Sequence, residues 1–331
     1  MKYRTLGQGL KVSAIGVGCM PMIRNGNINY GGAADLDEAT RAIHRAIELG
    51  VTFFDTAQIY GPFQNEELLG EAIKGKRDGL VIATKFGFSF QDGQITGVDG
   101  SAANAKASVE GSLKRLGIDT IDLFYQHRVD PNVPIEDTVG GMAELVKEGK
   151  VRHIALSEAG PETIQRAAKV HPITALQSEY SLWERGVEEG ILDACRENSI
   201  GFVPYSPLGR GFLAGTIRSL DDLPADDWRR SDPRYQGDNF AANLKVVDAI
   251  ARVAARHGAS NAQVALAWLL AQGDDIVPIP GFKRRVTMED SVKAGDIVLD
   301  AEDLQELDTA APLGGTAGPR YGERGMRMVR L

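Results

Sequence analysis

Thiols are scarce. Cys19 and Cys195 are the two cysteines in 331 residues, too few for a disulfide framework or a metal cluster, so no metal is expected and both read as small apolar side chains. Positive charge is short as well. Lysine and arginine total 37 against 45 acidic residues, a formal charge of -8 with a pI near 5.3. No basic stripe is present to neutralise phosphates, which excludes a nucleic-acid partner. The dense basic patches are Lys283-Arg284-Arg285 and the tail from Arg320 to Arg330. No basic segment followed by an apolar one opens the chain, and no apolar run has the length to cross a bilayer. A soluble, cytoplasmic protein with no membrane partner is expected.

What is present is enough apolar residue, 43%, for a full core. The length suits two domains or one large α/β barrel. Tyr3 to Leu6 and Leu10 to Val12 flank Gly7-Gln8-Gly9 and read as a short N-terminal β-hairpin. A strand-helix rhythm then sets in. Apolar strands are expected at Ala14 to Val17, Val51 to Phe54, Leu80 to Thr84, Ile121 to Tyr125, Val151 to Leu156, Ile173 to Leu176, Gly201 to Pro204 and Ile276 to Pro280. Helical periodicity lies between them, as in Asp35 to Leu49 with its stop at Gly50. Strands separated by helices must run parallel, and eight such units predict an α/β fold of the (β/α)8 TIM-barrel type.

An open doubly wound sheet would instead place a glycine fingerprint in the first strand-helix turn. That turn, Gly16-Val17-Gly18-Cys19-Met20-Pro21, lacks the third small residue. Residues 1-311 are expected to form the barrel domain. A long loop after strand 7, from Pro207 to about Phe240, reads as a lid over the strand ends. Residues 312-331, rich in glycine and arginine without periodicity, are expected to be a flexible C-terminal tail.

Side chains just past the strand C-termini of such a barrel converge on one face. Asp55, Lys85, His127, Ser157, Gln177 and Tyr205 all fall there, and Tyr60 lies in the loop after Asp55. A tyrosine, with an ordinary pKa of about 10, needs help to move a proton at neutral pH. Lys85 would stabilise the phenolate, Asp55 would hold Lys85 charged, and His127 would orient a substrate oxygen beside Tyr60. The set donates a proton to a carbonyl oxygen but contains no nucleophile, so a hydride must come from elsewhere. A barrel hydrolase with paired carboxylates would need a second strand-end acid beside Asp55, and none is evident. Met22, Phe86, Phe88, Trp183 and Trp228 are candidates either to line a substrate mouth or to fill the core.

Asp55-Thr56-Ala57 with Tyr60-Gly61, Ala83-Thr84-Lys85, Gln126-His127-Arg128-Val129-Asp130-Pro131, Leu156-Ser157-Glu158 and Val203-Pro204-Tyr205-Ser206-Pro207-Leu208-Gly209 together resemble the aldo-keto reductases. The likeness runs from about Lys2 to Pro312 and is nearest the branch of plant and bacterial aldehyde and ketone reductases. It implies NADPH-dependent reduction of a small-molecule carbonyl substrate, with Asp55, Tyr60, Lys85 and His127 as the catalytic set and Tyr60 as the acid. For the cofactor it implies Tyr205 against the nicotinamide and Ser157 and Gln177 at its carboxamide. Ser206, Leu208, Gly209 and Gly211 would lie around the pyrophosphate, and Met20 and Arg210 are also expected to bind the cofactor. Gly281 is expected at the cofactor too; Lys283 and Arg284 would meet the extra phosphate, and Asp290 and Ser291 would lie near the adenine. Glu158 stands where the family often has asparagine. An NADPH-binding, redox-sensing regulatory subunit of the same superfamily is the alternative. Neither the substrate nor the oligomeric state is written in the motifs.

Overall fold

The structure, a computed structural model, describes residues 1–23 and 32–331. Strands β1 (Tyr3–Thr5) and β2 (Lys11–Ser13) pair antiparallel, with Tyr3 opposite Ser13, as the hairpin reading expects. The hairpin closes the bottom of the barrel. Leu6 and Val12 are buried against the interior side chains Phe53, Val81, Leu123 and Val203, and Gly7 N–H donates to Thr174 O at 3.0 Å.

Seven parallel strands follow in one sheet: β3 (Val17–Gly18), β4 (Phe53–Asp55), β5 (Val81–Phe86), and, after a side hairpin of β6 (Phe88–Gln91) and β7 (Gln94–Val98), β8 (Ile121–Gln126), β9 (Val151–Ser157), β10 (Ala175–Glu179) and β11 (Gly201–Tyr205). The eighth expected strand, Ile276 to Pro280, lies between β11 and β3 and closes the ring. Phe202 N–H donates to Asp275 O, Val277 N–H to Phe202 O and Ile279 N–H to Pro204 O, while Gly16 and Gly18 donate to Pro278 O and Pro280 O. Pro278 and Pro280 carry no N–H, so this segment accepts from β3 without donating back. The approach there is close. A Cβ on Gly18 would sit 2.8 Å from Ile279 O.

The helices are α1 (Leu36–Glu48), α2 (Gln64–Ala72), α3 (Ala102–Leu116), α4 (Ile135–Lys147), α5 (Pro161–Val170), α6 (Ile191–Glu197), α7 (Gly237–His257), α8 (Asn261–Ala271), α9 (Arg285–Val292), α10 (Ala301–Ala310) and α11 (Glu323–Met326). Two of the expected helices start on side-chain caps: Asp35 accepts from Asp37 and Glu38 N–H, and Ser101 from Asn104 N–H. Helix α6 starts at Ile191 behind Gly190, which has φ 90°, and α7 begins at Gly237, inside the stretch expected as loop. The rest of that stretch, from Ser206 on, is a series of short 3-10 turns between Gly209 and Tyr235.

Strand periodicity explains the mouth. Phe53, Val81, Ala83, Leu123, Tyr125, Ala155, Ala175 and Val203 belong to the buried cluster inside the barrel, whereas Phe54, Ile82, Phe124, Leu156 and Leu176 pack outward under the helices. Stepping two residues on from the interior positions gives Asp55, Lys85, His127, Ser157, Gln177 and Tyr205. Parallel pairing keeps them level, with Asp55 beside Ala83, Lys85 beside Tyr125 and Gln177 beside Ser157. The polar ring is the next layer above an apolar plug.

The tail expected as a flexible arm is packed onto this mouth. Arg320 is 3% exposed and pairs with Glu158 at 2.7 Å and Glu179 at 3.4 Å. Arg330 pairs with Glu184 at 2.5 Å. Arg210 joins Glu179 at 3.1 Å and also Asp232, and Arg234 joins Glu184, so tail, lid and strand ends share one buried ionic network. No helix among the described residues is long and apolar enough to cross a membrane.

Candidate active site

Lys85 is the centre of the site. Its ammonium, on a side chain without measurable exposure, donates to an Asp55 carboxylate oxygen, to Thr56 O at 2.9 Å and to the Tyr60 hydroxyl at 3.4 Å. The other Asp55 oxygen accepts from Gln177 Nε2 at 2.8 Å. Tyr60 reaches this group because Thr56 N–H continues the ladder to Ala83 O and the loop then turns back. Asn65 pins that turn, accepting from Thr56 Oγ1 at 2.6 Å and donating to Cys19 O and Met22 O. The His127 ring meets the Tyr60 ring edge-on at 5.9 Å and the Phe88 ring at 5.2 Å.

Burial shapes the electrostatics. Burial by itself would push Lys85 down, but the Asp55 charge and the hydrogen bonds to Asp55 and Tyr60 outweigh it and hold the ammonium above its ordinary range. Burial, and then the Asp55 charge, lift the Tyr60 phenol against the pull of Lys85. This corrects the expectation that Lys85 would bring the phenol down toward neutrality. His127 is pushed well below the usual imidazole range by burial first, then by the charges of Arg128 and Lys85, and is therefore neutral. The site at neutral pH is a charged lysine, a protonated phenol and an uncharged imidazole.

A cleft of about 1870 Å³ opens over this group. Asp55, Tyr60 and His127 line one end of it, with Ser157, Gln177 and Tyr205. The lid adds Ser206, Leu208, Arg210 and Gly211. Met20, Gly281, Lys283, Arg284, Asp290 and Ser291 line the cleft as well. Two expected site residues stand back. Lys85 is covered by Asp55 and Tyr60, and Gly209 lies beneath the cleft, where a Cβ would sit 2.7 Å from the Trp183 ring.

Several expected contacts also serve the fold itself. Asp290 accepts from Ser260 Oγ and Gln263 Nε2, both at 2.6 Å, Ser291 Oγ donates to Thr287 O, and Lys283 donates to Gly32 O. Of the aromatic candidates, Phe88 and Trp228 line the cleft. Phe86 stacks on Phe124 and Trp183 on Phe212 in the core, and Met22 is buried.

Sequence reasoning missed the tail's part in the wall, Tyr321, Gly325 and Met328. The Tyr321 hydroxyl lies 2.9 Å from that of Tyr205. It also missed Ile95 on the β6-β7 hairpin, although Asp92-Gly93 between two alternating runs is a two-residue hairpin signal. Both residues have positive φ. Glu158, odd beside the family's usual asparagine, has a partner here in Arg320.

The closed parallel barrel and the polar layer at its strand ends define an enzyme of the (β/α)8 class. Residues 14–312 match the Aldo/keto reductase family, and the chain belongs to it. Members are oxidoreductases acting on small-molecule carbonyl compounds with a nicotinamide cofactor. A probable aldo-keto reductase from Glycine max is 44% identical over 315 residues, 95% of this chain and 90% of that one. Among solved structures, a glycerol dehydrogenase from Gluconobacter oxydans superposes with a TM-score of 0.83 at 27% identity, covering 93% of this chain and 94% of its own. A thermostable aldo-keto reductase solved with the inhibitor epalrestat gives 0.73 at 29% identity, covering 94% and 100%.

Proposed function

We propose that the chain reduces aldehydes or ketones to alcohols with NADPH, reversibly, with Tyr60 as the general acid. The observation that carries this reading is the Lys85 ammonium, bonded at once to the Asp55 carboxylate and the Tyr60 hydroxyl at the floor of an open cleft. The cofactor supplies the hydride when bound. Tyr60 holds its proton because it is buried, and donates it as negative charge develops on the carbonyl oxygen. Lys85 stabilises the phenolate left behind, and Asp55 with Gln177 keeps Lys85 in place. His127, neutral and edge-on to Tyr60, offers a hydrogen bond that orients the same oxygen.

The donor set suits a dinucleotide. Ser206 and Arg210 have φ of 47° and 58°; backbone turned this way exposes N–H groups to an anion. Lys283 and Arg284, both on the cleft lining, supply cations for a second phosphate, which favours NADPH over NADH. The test is consumption of each cofactor by the purified protein against a panel of aldehydes and ketones, with Tyr60→Phe alongside. Turnover with NADPH that falls by about 100-fold or more in the variant supports the reading. An unchanged rate in Tyr60→Phe removes Tyr60 as the acid. Tight NADPH binding without turnover turns the reading to the redox-sensing subunit.

A further inference from the structure

Most cations around the mouth have acidic partners. Lys85 faces Asp55, Arg320 faces Glu158 and Glu179, Arg210 faces Glu179 and Asp232, and Arg229 faces Asp227. Arg128 differs. It follows His127 directly and lines the same cleft, yet no carboxylate among the described residues lies within ion-pair distance of it.

Its Nη1 donates to His127 O at 2.7 Å and reaches Ser157 Oγ at 3.5 Å. Nε and Nη2 have no acceptor among the described residues, and neither is sealed from solvent. Those two nitrogens form the side edge of the guanidinium, whose parallel N–H bonds match the two oxygens of a carboxylate. The Nη1 contacts hold the group in place, so little ordering cost is left for a ligand.

We propose that Arg128 selects carbonyl substrates that also carry a carboxylate, gripping it through the Nε and Nη2 edge while the carbonyl lies against Tyr60 and His127. This rests on the reductase reading and narrows its substrate class to oxo acids. A phosphate dianion would call for a second cation without an ion pair, and Arg320, close enough to repel Arg128, already faces two carboxylates.

The experiment compares kcat/KM for 4-oxobutanoate and for its methyl ester, two aldehydes with the same chain that end in a carboxylate and in a neutral ester. Wild-type protein is expected to favour the acid by about 100-fold. Arg128→Met should bring the ratio close to unity and Arg128→Lys restore part of it. Raising the ionic strength should lower the rate for the acid and spare the ester, a readout that needs no variant. A wild-type ratio near unity overturns the inference, as does a preference that survives Arg128→Met. Equal loss of both substrates in Arg128→Met, with weaker NADPH binding by fluorescence titration, would overturn it by assigning the guanidinium to the cofactor. Ester turnover that depends on Tyr60 with no preference for the acid sinks this inference and leaves the reductase standing. Failure of both aldehydes, with the whole carbonyl panel inert, sinks the two together.

Discussion

Burial holds the Tyr60 phenol above its ordinary pKa of about 10, and the sign of that shift sets the pH dependence. A raised phenol pKa keeps the donor protonated longer as pH rises. For carbonyl reduction, kcat/KM is expected to stay level from about pH 7 to about 10 and to fall only above that. His127, held neutral by burial and its cationic neighbours, should add no acid limb above its ordinary value of about 6.5. A profile that bends downward below about pH 9 would show Lys85 outweighing burial in the working complex. On the cleft lining, Arg284 is exposed. Arg284→Ala should raise the KM for NADPH about tenfold or more while moving that for NADH little, as loss of a phosphate contact predicts.

At the level of elements, the strand-helix units were legible because each strand is a short apolar run and each helix has a start or stop signal, as at Asp35, Ser101 and Gly117. The strand-end site was legible for the same reason: once the strands are placed, the residue after each is read directly. The β6-β7 hairpin carried its signal in Asp92-Gly93 and went unread. Helix α10 likewise advertises a capping box, Asp300 with Asp303. The tail had no local signal. What orders it is charge pairing with Glu158, Glu179 and Glu184, more than a hundred residues away, and pairing at that distance leaves no periodicity to find.

Two glycines separate kinds of constraint at this scale. Gly93 has φ 73° and open space around it, so alanine there costs about 1 kcal/mol of backbone strain. Gly18→Ala must move β3 off the Ile279 carbonyl and should cost about 1–3 kcal/mol. Denaturant unfolding of both variants checks the order, and equal losses would mean that the ring closure yields easily.

The molecule as a whole is drawn together by its buried ions. Arg320→Met would leave Glu158 and part of Glu179 charged and buried, a loss of about 3–5 kcal/mol. Exchanging Arg320 and Glu158 together for apolar residues should return much of it, since a buried pair contributes little net stability. Urea titration of the single and double variants measures the difference. Acid should act in the same direction. Although burial would raise Glu158, the nearby Arg320 and Arg128 charges hold it below its ordinary range. A depressed carboxylate contributes stability present above the unfolded value of about 4.3 and lost as pH falls through the folded one. Protease cleavage of residues 312–331 is therefore expected to begin only below about pH 4.

The prolines of the closing segment have a kinetic consequence. Between that segment and β3 the hydrogen bonds run one way, from Gly16 and Gly18 to Pro278 and Pro280, whereas β8 and β9 are joined along five residue pairs. Local opening breaks fewest bonds at this seam, so breathing should begin there. In deuterated solvent the amides of Gly16 and Gly18 should exchange well before those of Leu123 and Tyr125, and the ring should come apart as an unrolling sheet with β3 at its free margin.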